Sequence, residues 1–241
     1  MTHSTWLYFI GIGNYFSVMV GLHNLFNLHY PFKDHTYEDR QKNIIETFNI
    51  ITNTITSYYL FDTIHYIETN NLDLVTGVTE NSVFAIQLLS AGLIYETIYY
   101  YVILKRKEML ILVHHIYTIF SLNLYLYYNI LHYYLSMTAL VEITNIFLSG
   151  MYIIKRNNIS NKIVSFVNDS ALIITFTWYR IAYLPYVFYK YVINYNNIIE
   201  VSSFGFFNGI FIILAIWFMS LFWYGKLLGI YNKKHNILKL E

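Results

Sequence analysis

Two adjacent histidines, His114 and His115, lie within an apolar segment, Met109–Tyr128, that is about long enough to cross a bilayer. An ionisable residue in a membrane span costs roughly 2.5–3.5 kcal/mol at mid-depth, so each one needs a compensating environment or a function. An imidazole that a carboxylate orients can act as a general base or a nucleophile. Thr118 follows at helical spacing and brings its hydroxyl to the same face. The alternative interpretation is two neutral histidines that polar neighbours satisfy inside a helix bundle.

The neighbouring predicted spans carry polar residues at a similar depth. At about 1.5 Å per residue, counted from the basic connectors, the histidines lie roughly 10 Å into the membrane. The same count places Glu96 at about 12 Å and Asp169 at about 10 Å. Because separate helices bring polar groups to one layer, we predict an interior site with His114, His115, Glu96 and Asp169 as catalytic residues. The residues that we predict to bind substrate are Tyr95, Thr118, Arg180, Asn49 and Asn53 of a polar stripe beginning at Glu46, and a second stripe of Glu142, Asn145 and Ser149.

The composition indicates a membrane protein with one domain. Of the 241 residues, 56% are hydrophobic and only 12% are charged, whereas a soluble domain carries about 25% charged residues. The net charge of +1 argues against a general nucleic-acid-binding protein. The absence of cysteine excludes disulfides, thiolate catalysis and thiolate metal sites.

Hydropathy predicts an all-α, polytopic bundle of about seven transmembrane helices around a polar interior cavity. An N-terminal transmembrane helix and connector at 1–40 precede the main membrane domain at 41–234, and 235–241 form a short cytosolic tail. Pro185 is expected to end the sixth span. The predicted spans are Trp6–Phe26, Asn43–Ile67, Ser82–Leu104, Met109–Tyr128, Leu131–Ile154, Ile163–Tyr186 and Phe204–Ile230.

The basic residues predict the orientation. When the connectors are assigned alternately to two sides, thirteen of the fifteen Lys and Arg residues fall on one side. Positive residues accumulate on the cytosolic side, so we expect a lumenal or external N-terminus and a cytosolic C-terminus. The exceptions are Lys190, on the opposite side, and Arg180, inside the sixth span near that opposite end.

The sequence His114-His115-Ile116-Tyr117-Thr118, after Tyr95-Glu96 and a basic connector, resembles the TLC domain. That family includes ceramide synthases and smaller lipid-associated membrane proteins, so the resemblance implies a lipid-related role and residence in the endoplasmic reticulum. Glu96 replaces the aspartate that is usual after the tyrosine. The acidic residues that follow the histidine helix in ceramide synthases are missing from His132–Ser136, and Leu140–Asn145 is more similar to the smaller, non-synthase members.

Two functions of different classes therefore remain open. The first is a protein that binds or regulates membrane lipids, in acyl-chain or sphingolipid homeostasis, through the intramembrane His-His/acidic site. The second is an acyl-CoA-dependent N-acyltransferase of the ceramide synthase type, with a histidine as base or nucleophile. No resident cofactor is expected, and acyl-CoA would be a co-substrate. The expected partners are membrane lipids, fatty acyl-CoA, a long-chain amine and, in a homodimer, a second copy of the chain.

The positions of the histidines and lysines disfavour two further kinds of site, and no metal is predicted. A diiron or zinc site would need His-x-x-x-His or His-x-x-His-His, and Ile111 occupies the position where the second pattern requires histidine. A retinal protein would need a buried lysine in the last helix, where Lys226 lies at the membrane edge.

Overall fold

The computed structural model describes residues 3–31 and 35–237, and the side chains of residues 7–31 and 35–233. Within these ranges the regular elements are all helical and form seven rods, which confirms the predicted all-α bundle. The first four rods are α1 (His3–Leu28), α2 (Tyr37–Thr69), α3 (Glu80–Thr97) with a π-helix (Ile98–Ile103), and α4 (Met109–Tyr128). The fifth rod consists of α5 (His132–Ala139), a 3-10 turn (Leu140–Glu142) and α6 (Ile143–Arg156). The sixth consists of α7 (Lys162–Thr175), a π-helix (Phe176–Tyr183) and α8 (Leu184–Ile193). The seventh is α9 (Tyr195–Ile237).

Six of the seven described rods are long and apolar enough to cross a membrane, and α2 is the exception. Its 33 residues span about 50 Å, so length does not disqualify it. Helix α2 is instead too polar for a lipid-facing span, because the stripe that begins at Glu46 includes buried Asn53 and Thr56. A helix with such a face must be covered by other helices rather than by lipid.

Helix α2 accordingly lies in the centre of the bundle. It packs against α3, α5 and α6, and α3 in turn packs against α1 and α4. Gly92 of α3 allows α2 to approach closely, since a Cβ at that position would lie 3.1 Å from Cγ2 of Thr52. The polar stripe of α2 is therefore covered by protein where α3, α5 and α6 pack against the helix.

The sixth rod does not end at Pro185, contrary to the prediction, but continues to Ile193. Proline is tolerated in the first turn of a helix, where its missing N–H is not needed. The π-helix Phe176–Tyr183 ends just before α8, so Pro185 occupies such a first-turn position. The predicted tail continues α9 as far as Ile237, and 238–241 lie outside the described residues.

The last rod bends at Ser202, whose backbone is extended at φ −161° and ψ 105°. The Ser202 hydroxyl accepts a hydrogen bond from the amide of Gly205 at 2.9 Å, as an N-cap does. Nearby, the hydroxyl of Tyr191 from α8 donates to the carbonyl of Gly205 at 2.8 Å. The Tyr191 ring lies against Gly209, where a Cβ would come within 2.5 Å of its Cζ.

We expect Gly209→Ala to destabilise the protein by about 1–3 kcal/mol, because the new methyl group overlaps a buried ring that its own hydrogen bond holds in place. The midpoint of thermal unfolding in detergent measures the change. Gly225→Ala on the same helix is the control, since a Cβ there meets nothing within 4 Å. An equal response of the two variants would contradict the close contact between α8 and α9.

Candidate functional site

The interior polar cluster begins with Glu46, which is buried on α2. The hydroxyl of Tyr100, in the π-helix of the third rod, donates to Glu46 Oε1 at 2.5 Å. Ser149 of α6 also hydrogen-bonds to this carboxylate, and Arg106 and Arg156 lie within electrostatic range of it. Three rods therefore converge on a single carboxyl group.

Glu96 lies between this group and the next part of the cluster. It is partly buried on α3 and hydrogen-bonds to Asn49 of α2. Its carboxyl group is close enough to Glu46 and to Glu142 to interact electrostatically with both. The structure thus brings predicted residues from α2, α3 and the fifth rod together.

Arg180 supplies the positive charge of the cluster from inside a span. Its Nε donates to Thr144 Oγ1 at 2.7 Å and its Nη2 to Asn145 Oδ1 at 3.2 Å. The amide of Asn145 donates to Glu142, so it bridges the guanidinium to the carboxylate. Arg180 also lies above the ring of Phe176, 5.3 Å from its centroid. Two hydrogen bonds therefore hold the Arg180 guanidinium of the sixth rod against the fifth rod.

Three residues of the cluster occupy the segments where their rods depart from α-helical geometry. Tyr100 lies in the first π-helix, Glu142 in the 3-10 turn and Arg180 in the second π-helix. Such departures within helices are uncommon and occur frequently at functional sites, because they change the direction in which side chains project. Their coincidence with the polar residues favours a built site over scattered polar groups.

The two histidines have different neighbours. His115 is buried, and its Nδ1 lies 3.1 Å from the hydroxyl of Thr97. The Thr97 hydroxyl already donates to the carbonyl of Leu93 at 2.6 Å, so Nδ1–H of a neutral His115 must be the donor. That leaves Nε2 as the basic nitrogen. His114, whose ring centroid is 5.9 Å away, lies within electrostatic range of Arg180.

The structure places one of the predicted site residues, Tyr95, in a different interface. Tyr95 is fully buried and bonds to Nδ1 of His23 in α1 at 2.6 Å. The other nitrogen of His23 faces Gln41 Oε1 at 2.5 Å, so this tyrosine belongs to the α1–α3 interface. Asp169 is buried on α7, and its place in the site stays a prediction. Asn53 is buried on α2 and Thr118 is partly buried on α4.

The predicted site omits two residues that the structure includes, Glu46 and Tyr100. Glu46 precedes Asn49 in the same stripe, so helical spacing was a sufficient signal for it. Tyr100 is one of 26 tyrosines in the chain, and its direction depends on a π-helix that the hydropathy pattern does not reveal. The catalytic and substrate-binding roles stay predictions.

The TLC domain family model matches residues 14–229, which extend from α1 into α9. The chain belongs to the TLC-domain family. This confirms the resemblance carried by the histidine segment and identifies a membrane lipid-related protein. No individual curated protein matches the sequence significantly. The TLC domain match includes most of α1, whereas the predicted boundary at residue 41 stays a prediction.

The TLC domain thus brings Glu96 within electrostatic range of Glu46 and Glu142, and Glu142 interacts with Arg180. His114 also lies within electrostatic range of Arg180. Among the described residues, no group of three or more His, Asp or Glu side chains has the arrangement to hold a metal ion. The cluster offers both hydrogen-bond acceptors and donors in a low-dielectric setting, where such interactions are strong. It can therefore fix a polar lipid group within the bundle.

We expect Arg180→Gln to destabilise the protein by about 1.5–3 kcal/mol, because it removes charge-assisted hydrogen bonds to Thr144 and Asn145. The double variant Arg180→Gln/Glu142→Gln should cost less than the sum of the single variants, since it removes the facing carboxylate as well. Thermal unfolding of the three purified proteins measures both effects. Strict additivity would contradict the coupling, and Lys162→Gln, at an exposed position, is the control.

Proposed function

We propose that this TLC-domain protein binds a membrane lipid in the polar interior of its bundle and thereby regulates acyl-chain or sphingolipid homeostasis. The observation that carries the proposal is the meeting of Glu46, Glu96, Glu142 and Arg180 from four rods. Glu142 and Arg180 lie in segments that depart from α-helical geometry. Membership of the TLC-domain family supports a lipid as the ligand.

The proposal also specifies the membrane that holds the protein and its orientation there. We place it in the endoplasmic reticulum membrane, with a lumenal N-terminus and a cytosolic C-terminus. The bias of basic residues toward one side supports the orientation, which would put Glu96 and the two histidines in the cytosolic half of the bilayer. Arg106, which interacts with Glu46, Glu96 and His115, would then lie at the cytosolic mouth of the site.

The lipid-binding proposal predicts that the purified protein retains a defined lipid class through detergent exchange. We expect Glu96→Gln and Arg180→Gln to reduce the retained amount about tenfold, the equivalent of roughly 1.4 kcal/mol of binding free energy. Quantitative mass spectrometry of extracted lipids measures the loss. Glu80→Gln, at the exposed start of α3, is the matched control. Equal lipid content in all variants would exclude the cluster as the binding site.

A second candidate, N-acyl transfer from acyl-CoA to a long-chain amine, is favoured by one observation at His115. The bond from its Nδ1–H to Thr97 leaves Nε2 able to accept a proton. In this reaction the amine nitrogen attacks the thioester carbonyl and Nε2 takes a proton from that nitrogen. The carbon–sulfur bond breaks, CoA leaves as the thiolate and then takes up the proton, and an amide remains.

The enzymatic candidate predicts amide formation when the purified protein receives fatty acyl-CoA and sphinganine. His115→Ala should abolish the product, and Thr97→Val should reduce it about 10- to 100-fold, because the imidazole loses the partner that selects its tautomer. His65→Ala, at an exposed position on α2, serves as the control. If the wild-type protein forms no amide while it still retains lipid, the lipid-binding function stands and this candidate fails.

A further inference from the structure

A second polar feature lies at the end of the bundle opposite to the basic connectors. There a cavity of about 450 Å³ opens between the end of α2, the connector after it, α5 and α8. It is separate from the histidine cluster, and neither candidate function uses it. The side chains around it are Ile67, Glu68, Asn71, Leu72, Leu74, Tyr133 and Lys190.

The cavity presents one positive and one negative group side by side. Lys190 Nζ lies 3.8 Å from Glu68 Oε1, which is beyond hydrogen-bonding distance. The hydroxyl of Tyr133, a fully buried residue, donates to the same oxygen at 2.5 Å and orients the carboxylate. The ammonium group also lies 5.7 Å from the centroid of the Tyr186 ring. Both charged groups are partly exposed, so each can still bind a ligand.

The surrounding residues place this cavity at the level of lipid headgroups. Tyrosine is enriched where a membrane protein meets the membrane–water interface. Exposed tyrosines lie at this end on four rods: Tyr66 on α2, Tyr128 on α4, Tyr186 and Tyr189 on α8, and Tyr195 on α9. Lys190 is the only Lys or Arg in the segments that we predict at this end, so its position beside Glu68 is not explained by the general charge bias.

We propose that this cavity binds the headgroup of a zwitterionic phospholipid that carries a primary ammonium group. The lipid phosphate would pair with Lys190, and the ammonium would donate to Glu68. The apolar side chains of Leu72 and Leu74 would contact the glycerol region. A choline headgroup satisfies Lys190 but has no N–H for Glu68, and an anionic glycerol headgroup brings no cation to that carboxylate. The site is therefore expected to distinguish lipids by their amine.

The experiment compares the full chain after equilibration with micelles that contain phosphatidylethanolamine, phosphatidylcholine or phosphatidylglycerol. Native mass spectrometry counts the lipid retained. We expect preferential retention of phosphatidylethanolamine. Lys190→Gln and Glu68→Gln should each retain about fivefold less of this lipid, which is the loss expected when one partly exposed ion pair is removed. Lys190→Arg keeps the charge and should retain the lipid, which separates a binding defect from a folding defect.

Two control variants leave the cavity intact, Glu80→Gln at the same end and Lys155→Gln at the opposite end; both residues are exposed. Equal retention of the three lipids, or an equal loss in the control variants, would overturn the proposal. Water-soluble phosphoethanolamine shares the headgroup chemistry. If it displaced the lipid at equal concentration, the free compound rather than a membrane lipid would be the ligand, and the lipid assignment would be overturned.

Discussion

Hydrocarbon offers no hydrogen-bonding partner, and this constraint determines which helix lies in the centre of the bundle. Helix α2 carries carboxyl, amide and hydroxyl groups along one face, so lipid cannot cover it at low cost. Packing by α3, α5 and α6 buries Glu46, Asn53 and Thr56. The most polar of the seven rods is therefore the one around which the more apolar rods assemble.

The same constraint explains why irregular helical geometry concentrates near the polar cluster. A straight α-helix repeats its side-chain directions every 3.6 residues, which limits how many polar groups can face one point. The π-helices around Tyr100 and Arg180 and the 3-10 turn at Glu142 change those directions locally. Directed hydrogen bonds then satisfy the polar groups, for example between Arg180 and Thr144. Local geometry and polar pairing thus support each other in the centre of the TLC domain.

The two polar features of the molecule suit different parts of the lipid environment. The cluster around Glu96 lies inside the bundle, where water is scarce and hydrogen bonds are strong. The cavity beside Glu68 and Lys190 lies among exposed tyrosines, where headgroups and water meet. A separate buried hydrogen-bond chain connects α1 to its neighbours, because His23 bonds to both Tyr95 of α3 and Gln41 of α2. Tyr95 and Glu96 are neighbours in sequence, yet they serve separate interfaces.

The sequence alone determined the membrane class, the approximate bounds of the seven helices and the family, because apolar length, helical spacing and the His114–Thr118 motif are local properties. It also predicted that Glu96 and the stripe of Glu142, Asn145 and Ser149 would face one interior site, whereas it placed Arg180 near the opposite end of its span. Only the tertiary structure decided which neighbours each side chain has: it turned Tyr95 toward α1 and added Tyr100 to the cluster. The physical reason is rotation. Depth follows from counting residues, but the direction of a side chain depends on how each helix turns about its axis, and a π-helix or 3-10 turn alters that rotation without changing the hydropathy pattern.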